Sequence, residues 1–286
     1  MELIHSFLWT ENNKCLVFCL LIYVKICHNI YAMKNTKEKT KKKNNRKWYF
    51  RVLKKMMKCR YKEPTFVYLG EKFNEGAIIL SNHEGTDAPM SLEIYSGANL
   101  RMWGAHEMNS GLVKMYKYQT RVYYHEKKHW NLHLARLFCL IASPLTNLFY
   151  SGLNLISTYR DGRLKKTIKE SVEAIENGDN IVIFPEVSTN GYLAELEGFH
   201  EGFVLLAEAC LKRGKDIPIY VTYFKKEEKI YVIDKPVNYS VLKEKHKTRE
   251  EVAKALLARC NELGKMTFEK EETGNKKNKK QKKNAE

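Results

Sequence analysis

The chain has 286 residues, 44% of them hydrophobic, which allows a real core in one large domain or two small ones, and it carries no internal repeat. Of the net charge of +17, 12 units sit in two stretches: 33–51, with nine Lys/Arg and one Glu, and 265–286, with eight Lys and four Glu. Charge gathered in tails rather than on a folded face argues against a nucleic-acid partner. It suits anionic lipid, at ~1 kcal/mol per Lys or Arg near the surface, as well as it suits plain solvated tails. Seven scattered cysteines, odd in number and without C-x-x-C, exclude a disulfide framework and a cysteine zinc site and point to a reducing compartment.

In chain order, residues 1–46 form an apolar stretch followed by a Lys-rich segment. The ten-residue apolar run 15–24 is interrupted by Lys25, which makes it short for a membrane span. It has the look of a signal h-region without an A-x-A-like cleavage site. A start codon placed too early would account for this segment; an N-terminal anchor is the alternative. Residues 47–64 predict an amphipathic helix with Trp48, Phe50, Val52, Leu53 and Met56 among cations, ended by Pro64. Such a helix can lie on a membrane surface or cover one face of the domain.

Strands are predicted at 65–69, 77–80, 154–158, 180–184, 217–224 and 229–233. Helices are predicted at 88–95, 109–119, 129–140, 163–177, 199–213 and from a Thr248-Arg249-Glu250-Glu251 capping box to about 263. Pro144 breaks or kinks the third of these helices, and Gly178 and Gly214 close two others. Residues 137–159 hold no charge over 23 positions, but Pro144, Asn147, Gly152 and Asn154 interrupt them. They read as a buried helix plus strand dipping at most into one leaflet. Strand–helix alternation predicts an α/β domain over 65–264 with a mostly parallel sheet flanked by helices, and a disordered basic tail over 265–286.

Two stretches carry the candidate chemistry. Residues 81–90, S-N-H-E-G-T-D-A-P-M, follow an apolar strand and place His83 where that strand opens into a loop. There an imidazole can act as general base on a hydroxyl, and Asp87 can hold its tautomer or simply cap the next helix. Residues 181–189, I-V-I-F-P-E-V-S-T, run from a second apolar strand into Glu186, Ser188 and Thr189. A carboxylate there can bind substrate hydroxyls, and loop N–H groups can meet phosphate. Between them the strand before Arg160 brings a guanidinium, whose planar fork suits phosphate, to the same kind of edge.

The order N-H-x-x-x-D, Arg-bearing strand end, F-P-E, G-F-x-x-G (198–202) and I-P-I (217–219) resembles the glycerolipid acyltransferase superfamily of lysophosphatidate and glycerol-3-phosphate acyltransferases, over about residues 65–235. The resemblance implies an α/β domain on the cytoplasmic face of a membrane. It implies transfer of a fatty acyl group from acyl-CoA or acyl-carrier protein to the hydroxyl of a lysophospholipid or glycerol phosphate, with no cofactor and no metal. It assigns His83 as base, Asp87 as its acidic partner, Glu186 to acceptor binding and Arg160 to the acceptor phosphate. The chain departs from the pattern in three places. Three residues rather than four separate His83 from Asp87, F-P-E-G-T-R reads F-P-E-V-S-T, and His200 stands where a Lys is usual.

Two rivals remain. Residues 125–129 form an H-E-x-x-H, the zinc-hydrolase pattern, but two lysines stand inside it and no H-x-x-G-x-x-H extension follows. The other rival is a catalytically impaired protein that binds anionic lipid or nucleic acid through its basic tails.

Overall fold

The computed structural model describes residues 47–127, 129–159, 161–187 and 195–268. The expected N-terminal segment 1–46 and the tail from 269 onward lie outside the described residues. The strands are β1 (Thr65–Tyr68), β2 (Ile78–Ser81), β3 (Leu100–Ala105), β4 (Ile156–Thr158), β5 (Asn180–Ile183), β6 (Pro218–Lys225), β7 (Ile230–Ile233) and β8 (Val237–Asn238). The helices are α1 (Trp48–Met57), α2 (Asp87–Tyr95), α3 (Leu112–Tyr118), α4 (Leu132–Leu153), α5 (Leu164–Glu176), α6 (Gly202–Leu211), α7 (Tyr239–Lys245) and α8 (Arg249–Lys265).

The strands join one sheet in the order β1-β7-β6-β2-β5-β3-β4, with β8 pairing β6. Neighbours from β6 to β4 are parallel. β7 runs antiparallel to β6, and β1 is parallel to β7, so the sheet is mixed but mostly parallel. The middle of the sheet explains its own sequence. A strand covered on both faces needs apolar residues at every position. Ile78 and Leu80 of β2 enter one core with Ile181 and Ile183 of β5, while Ala77, Ile79 and Val182 enter the other. Helices α5, α6, α7 and α8 cover the first face; α1, α2, α3 and α4 cover the second.

The predicted capping box is present: Thr248 accepts the Glu251 N–H at 3.1 Å and the Glu251 carboxylate reaches back to the Thr248 N–H. Strand β3 had no counterpart in the sequence reading. Its Arg101 interrupts the apolar pattern, yet is only partly buried, in the strand next to the last, and pairs with Glu170 at 2.6 Å. Pro144 bends α4 rather than ending it, by 40° between Leu132–Pro144 and Thr146–Leu153. Only the second half of α4 is the buried helix expected, with Phe149, Tyr150 and Leu153 inside; Leu137, Leu140 and Ile141 in the first half are exposed. Among the described residues no single helix is long and apolar enough to cross a membrane; only the two halves of bent α4 together pass by length and composition.

Of the two roles expected for the 47–64 helix, the structure shows the covering one. Phe50 of α1 is fully buried against Phe149, and the Tyr49 hydroxyl bonds Ser151 at 2.8 Å. The approach depends on Gly152, where an added Cβ would come within 2.3 Å of the Phe50 ring. Gly152→Val is therefore expected to cost ~1–3 kcal/mol in urea unfolding; an unchanged midpoint would mean α1 does not sit on α4.

Candidate active site

The site is built where β2 and β5, adjacent and parallel, both end. Strand β2 stops because Asn82 replaces a peptide group with its side chain. The Asn82 amide donates to the Phe224 carbonyl at 3.1 Å and its carbonyl accepts the Phe224 N–H at 2.7 Å. An amide side chain carries the same donor and acceptor as a backbone unit, so it extends the β2–β6 ladder by one rung while the main chain turns away. Asn82 is buried, and losing either bond would leave a backbone group of Phe224 unsatisfied. Two more bonds brace the same end: Thr222 donates to the Leu80 carbonyl at 2.9 Å, and the Ser81 and Tyr231 hydroxyls meet at 2.6 Å. Burial pushes the Tyr231 phenol up, so it stays neutral as a hydrogen-bonding partner.

His83 follows, half-buried, at the carboxyl edge of the sheet, where α/β folds bind their ligands. Its backbone N–H donates to the Glu186 carboxylate at 2.9 Å. Its ring meets Phe184 edge to face, centroids 4.9 Å apart, a contact that orients the imidazole. Phe184 and Glu186 belong to the F-P-E stretch, so one hydrogen bond and one ring contact join the two motifs the sequence set 103 residues apart. The G-F-x-x-G stretch joins them: the His200 N–H donates to the Pro185 carbonyl at 2.7 Å and the Val187 N–H to the Gly198 carbonyl at 2.9 Å. These bonds tie Glu186 opposite Phe199 and close the base of the loop after β5. The I-P-I stretch opens β6, the other neighbour of β2.

Burial is the main cause that raises the Glu186 pKa above the ordinary carboxylate range. The His83 N–H works against that, and Glu84 adds to it. The second Glu186 oxygen, Oε1, is buried with no hydrogen-bond partner among the described residues. A carboxylate so placed takes up a proton or a hydrogen-bond donor readily. Burial also raises the Glu84 pKa; Lys226 lowers it, and Asp87 and Glu227 raise it. Asp87 is the first residue of α2, where the helix dipole favours its charge, and its ion pair is with Lys226 at 3.2 Å.

Arg160, Ser188 and Thr189 lie outside the described residues. Strand β4, which precedes residue 160, is the last strand of the sheet and is parallel to β3, so it ends on the same edge as β2 and β5. The H-E-x-x-H stretch does not form one regular helix. It lies at the end of a π-helical segment, Gln119–Lys127; the His125 Nδ1–H donates to the Trp130 carbonyl, and His129 is past the helix end in a left-handed conformation. No cluster of three metal-ligating side chains occurs among the described residues. A pocket of about 410 Å³ lined by Glu208, Leu211, Lys212 and Lys243 contains none of the motif residues.

Sequence reasoning gave Asn82 no role. Its only signal was position, a buried-strand terminus followed by an amide residue and then a titratable one. Comparison with known family models gives no match, and comparison with curated proteins gives none either.

The raised Glu186 pKa fixes a sign. The folded protein binds more protons than the unfolded one between the ordinary carboxylate value and the raised one, so this group's contribution to stability falls as pH rises through that window. Glu186→Gln removes that fall. Its unfolding midpoint is expected to gain on the wild type as pH rises above the ordinary carboxylate range, and to level off once the Glu186 carboxyl of the folded protein has ionised. A difference independent of pH would place Glu186 in water.

Proposed function

We propose that the protein is a membrane-associated O-acyltransferase, moving a fatty acyl group from acyl-CoA or acyl-carrier protein to the hydroxyl of a lysophospholipid or glycerol phosphate at the cytoplasmic face. The observation that carries this reading is the hydrogen bond from the His83 N–H to the Glu186 carboxylate, which brings the N-H and F-P-E motifs together at the ends of β2 and β5. Length, tails and composition suit many functions; a half-buried histidine beside a proton-avid carboxylate at a sheet edge suits few.

In the proposed reaction the His83 imidazole takes the proton of the acceptor hydroxyl as its oxygen bonds to the thioester carbonyl carbon. The tetrahedral oxyanion then re-forms the carbonyl as the C–S bond breaks, and the imidazolium gives its proton to the departing sulfur, which leaves as the free thiol and returns His83 to the neutral base. Asp87 stabilises that imidazolium when acceptor binding draws Lys226 toward phosphate. Glu186 fixes the His83 backbone with one oxygen and receives an acceptor hydroxyl with the other. Ser188, Thr189 and Arg160 are assigned to the acceptor's phosphate. A second reading, a lipid-binding protein without turnover, draws on the Asp87–Lys226 ion pair, which engages the acidic partner elsewhere.

The test is transfer from labelled acyl-CoA or acyl-carrier protein to a panel of lysophospholipids and glycerol phosphate. The wild type is expected to turn over, and His83→Ala to lose ~10²–10⁴-fold in rate. An equal rate in the variant would remove His83 from the chemistry, and no transfer by the wild type would favour the second reading.

A further inference from the structure

A helix on the outside of a soluble domain shows polar residues to water and apolar ones to the core. The first half of α4 reverses this. Ala135, Cys139 and Ala142 face inward, at 0–1% exposure, while Leu134, Leu137, Leu140 and Ile141 stand out at 61–64%. Helix α3, packed beside it, adds Leu112 and Val113. These six are most of the eight large hydrophobic residues exposed among those described, so the patch is one feature rather than scatter.

The charge around it is one-sided. Lys114, Lys117, Arg121 and Arg136 are exposed on α3, the π-helical segment and α4, and between Glu107 and Asp161 the sequence has a single acid, Glu126. Trp130 and Tyr123 lie half-buried on the same segment. Protein interfaces are depleted in Lys and rely on aromatic and Arg anchors. Aliphatic residues ringed by Lys and Arg, with aromatic rings between, are instead what a helix in the plane of a bilayer presents. The topology orients the patch. Helix α4 returns the chain to the amino end of β4, so its first half lies toward the carboxyl edge, the edge where His83 sits.

We propose that the face made by α3 and the first half of α4 seats in the headgroup–acyl boundary of an anionic membrane. Leu134, Leu137, Leu140 and Ile141 enter the apolar layer, and Lys114, Lys117, Arg121 and Arg136 meet lipid phosphates. Pro144 ends the inserted part, because beyond the bend Thr146, Phe149 and Tyr150 are buried in the domain. This deepens the membrane half of the function proposed above and rests on it only for its purpose. Binding is scored without turnover, so either can fail while the other stands.

The experiment is co-sedimentation of the full chain with vesicles of phosphatidylcholine alone and of phosphatidylcholine with about 30% phosphatidylglycerol. The wild type is expected to bind the anionic vesicles more tightly. Leu137→Glu/Ile141→Glu is expected to weaken partitioning to them by at least about tenfold, with the wild-type melting temperature kept. If the carboxylates lower that temperature, Leu137→Gln/Ile141→Gln gives the same reading without the charge. Lys114→Glu/Lys117→Glu is expected to lose binding to the anionic vesicles and its salt dependence with it. Absence of wild-type binding overturns the proposal. So does undiminished binding by the α4 variants, which would assign the membrane contact to residues 15–24 or the basic tails. A change from dimer to monomer in those variants with vesicle binding intact would overturn it too, making the patch a contact between copies of the chain.

Discussion

The Asn82 side chain and the Phe224 backbone exchange two hydrogen bonds in the buried end of the sheet, and the geometry of the site descends from that exchange. Without it β2 would either continue into the loop or leave two backbone groups of β6 dry and unpaired, a cost of ~1–3 kcal/mol each. With it, the chain leaves the ladder at a defined residue, and the next one, His83, reaches the edge with its N–H aimed at β5. The Glu186 carboxylate accepts that N–H. A side-chain amide thus decides where the imidazole stands, and a side-chain carboxylate decides which way its backbone faces.

The electrostatics follow from the same burial. Glu186 is held where its charge is poorly solvated, stabilised by one N–H and opposed by Glu84. Such a group costs stability at neutral pH. Lys226, entering from the turn after β6, is the cation that keeps Glu84 and Asp87 tolerable side by side. Among the described residues the rim therefore sets Glu84, Asp87, Glu186 and Glu227 against Lys226 beside His83, and a phosphate-bearing ligand would shift that balance by competing for Lys226.

The sequence made most of the sheet legible, its end strands β1 and β4 included, but not β3. Ile78–Leu80 and Ile181–Ile183 read as strands because a strand buried on both faces is apolar without alternation, and the Thr248 capping box announced α8 by local chemistry alone. Strand β3 was invisible because Arg101 breaks its pattern, and distant partners, the Glu170 carboxylate and the Asn154 carbonyl, make that arginine acceptable. The uncharged run 137–159 read as a buried helix plus strand dipping at most into one leaflet, with no sign of which part of the helix would be exposed. Composition cannot tell which side of a bent helix faces out, and Pro144 lets its two halves meet different surroundings. His83 and Glu186 stood out by residue type and position after apolar strands. Their contact did not, because it is set by the adjacency of β2 and β5, and strand order is a property of the whole chain.

The claim that the two motifs form one site is tested most directly by amide hydrogen exchange at His83, compared between the wild type and Glu186→Ala. The account predicts a protected His83 N–H in the wild type that exchanges much faster in the variant, while the core amides of β2 and β5 keep their protection. An N–H at His83 that exchanges equally fast in both proteins would contradict it, since Glu186 would then not be holding the backbone of the histidine.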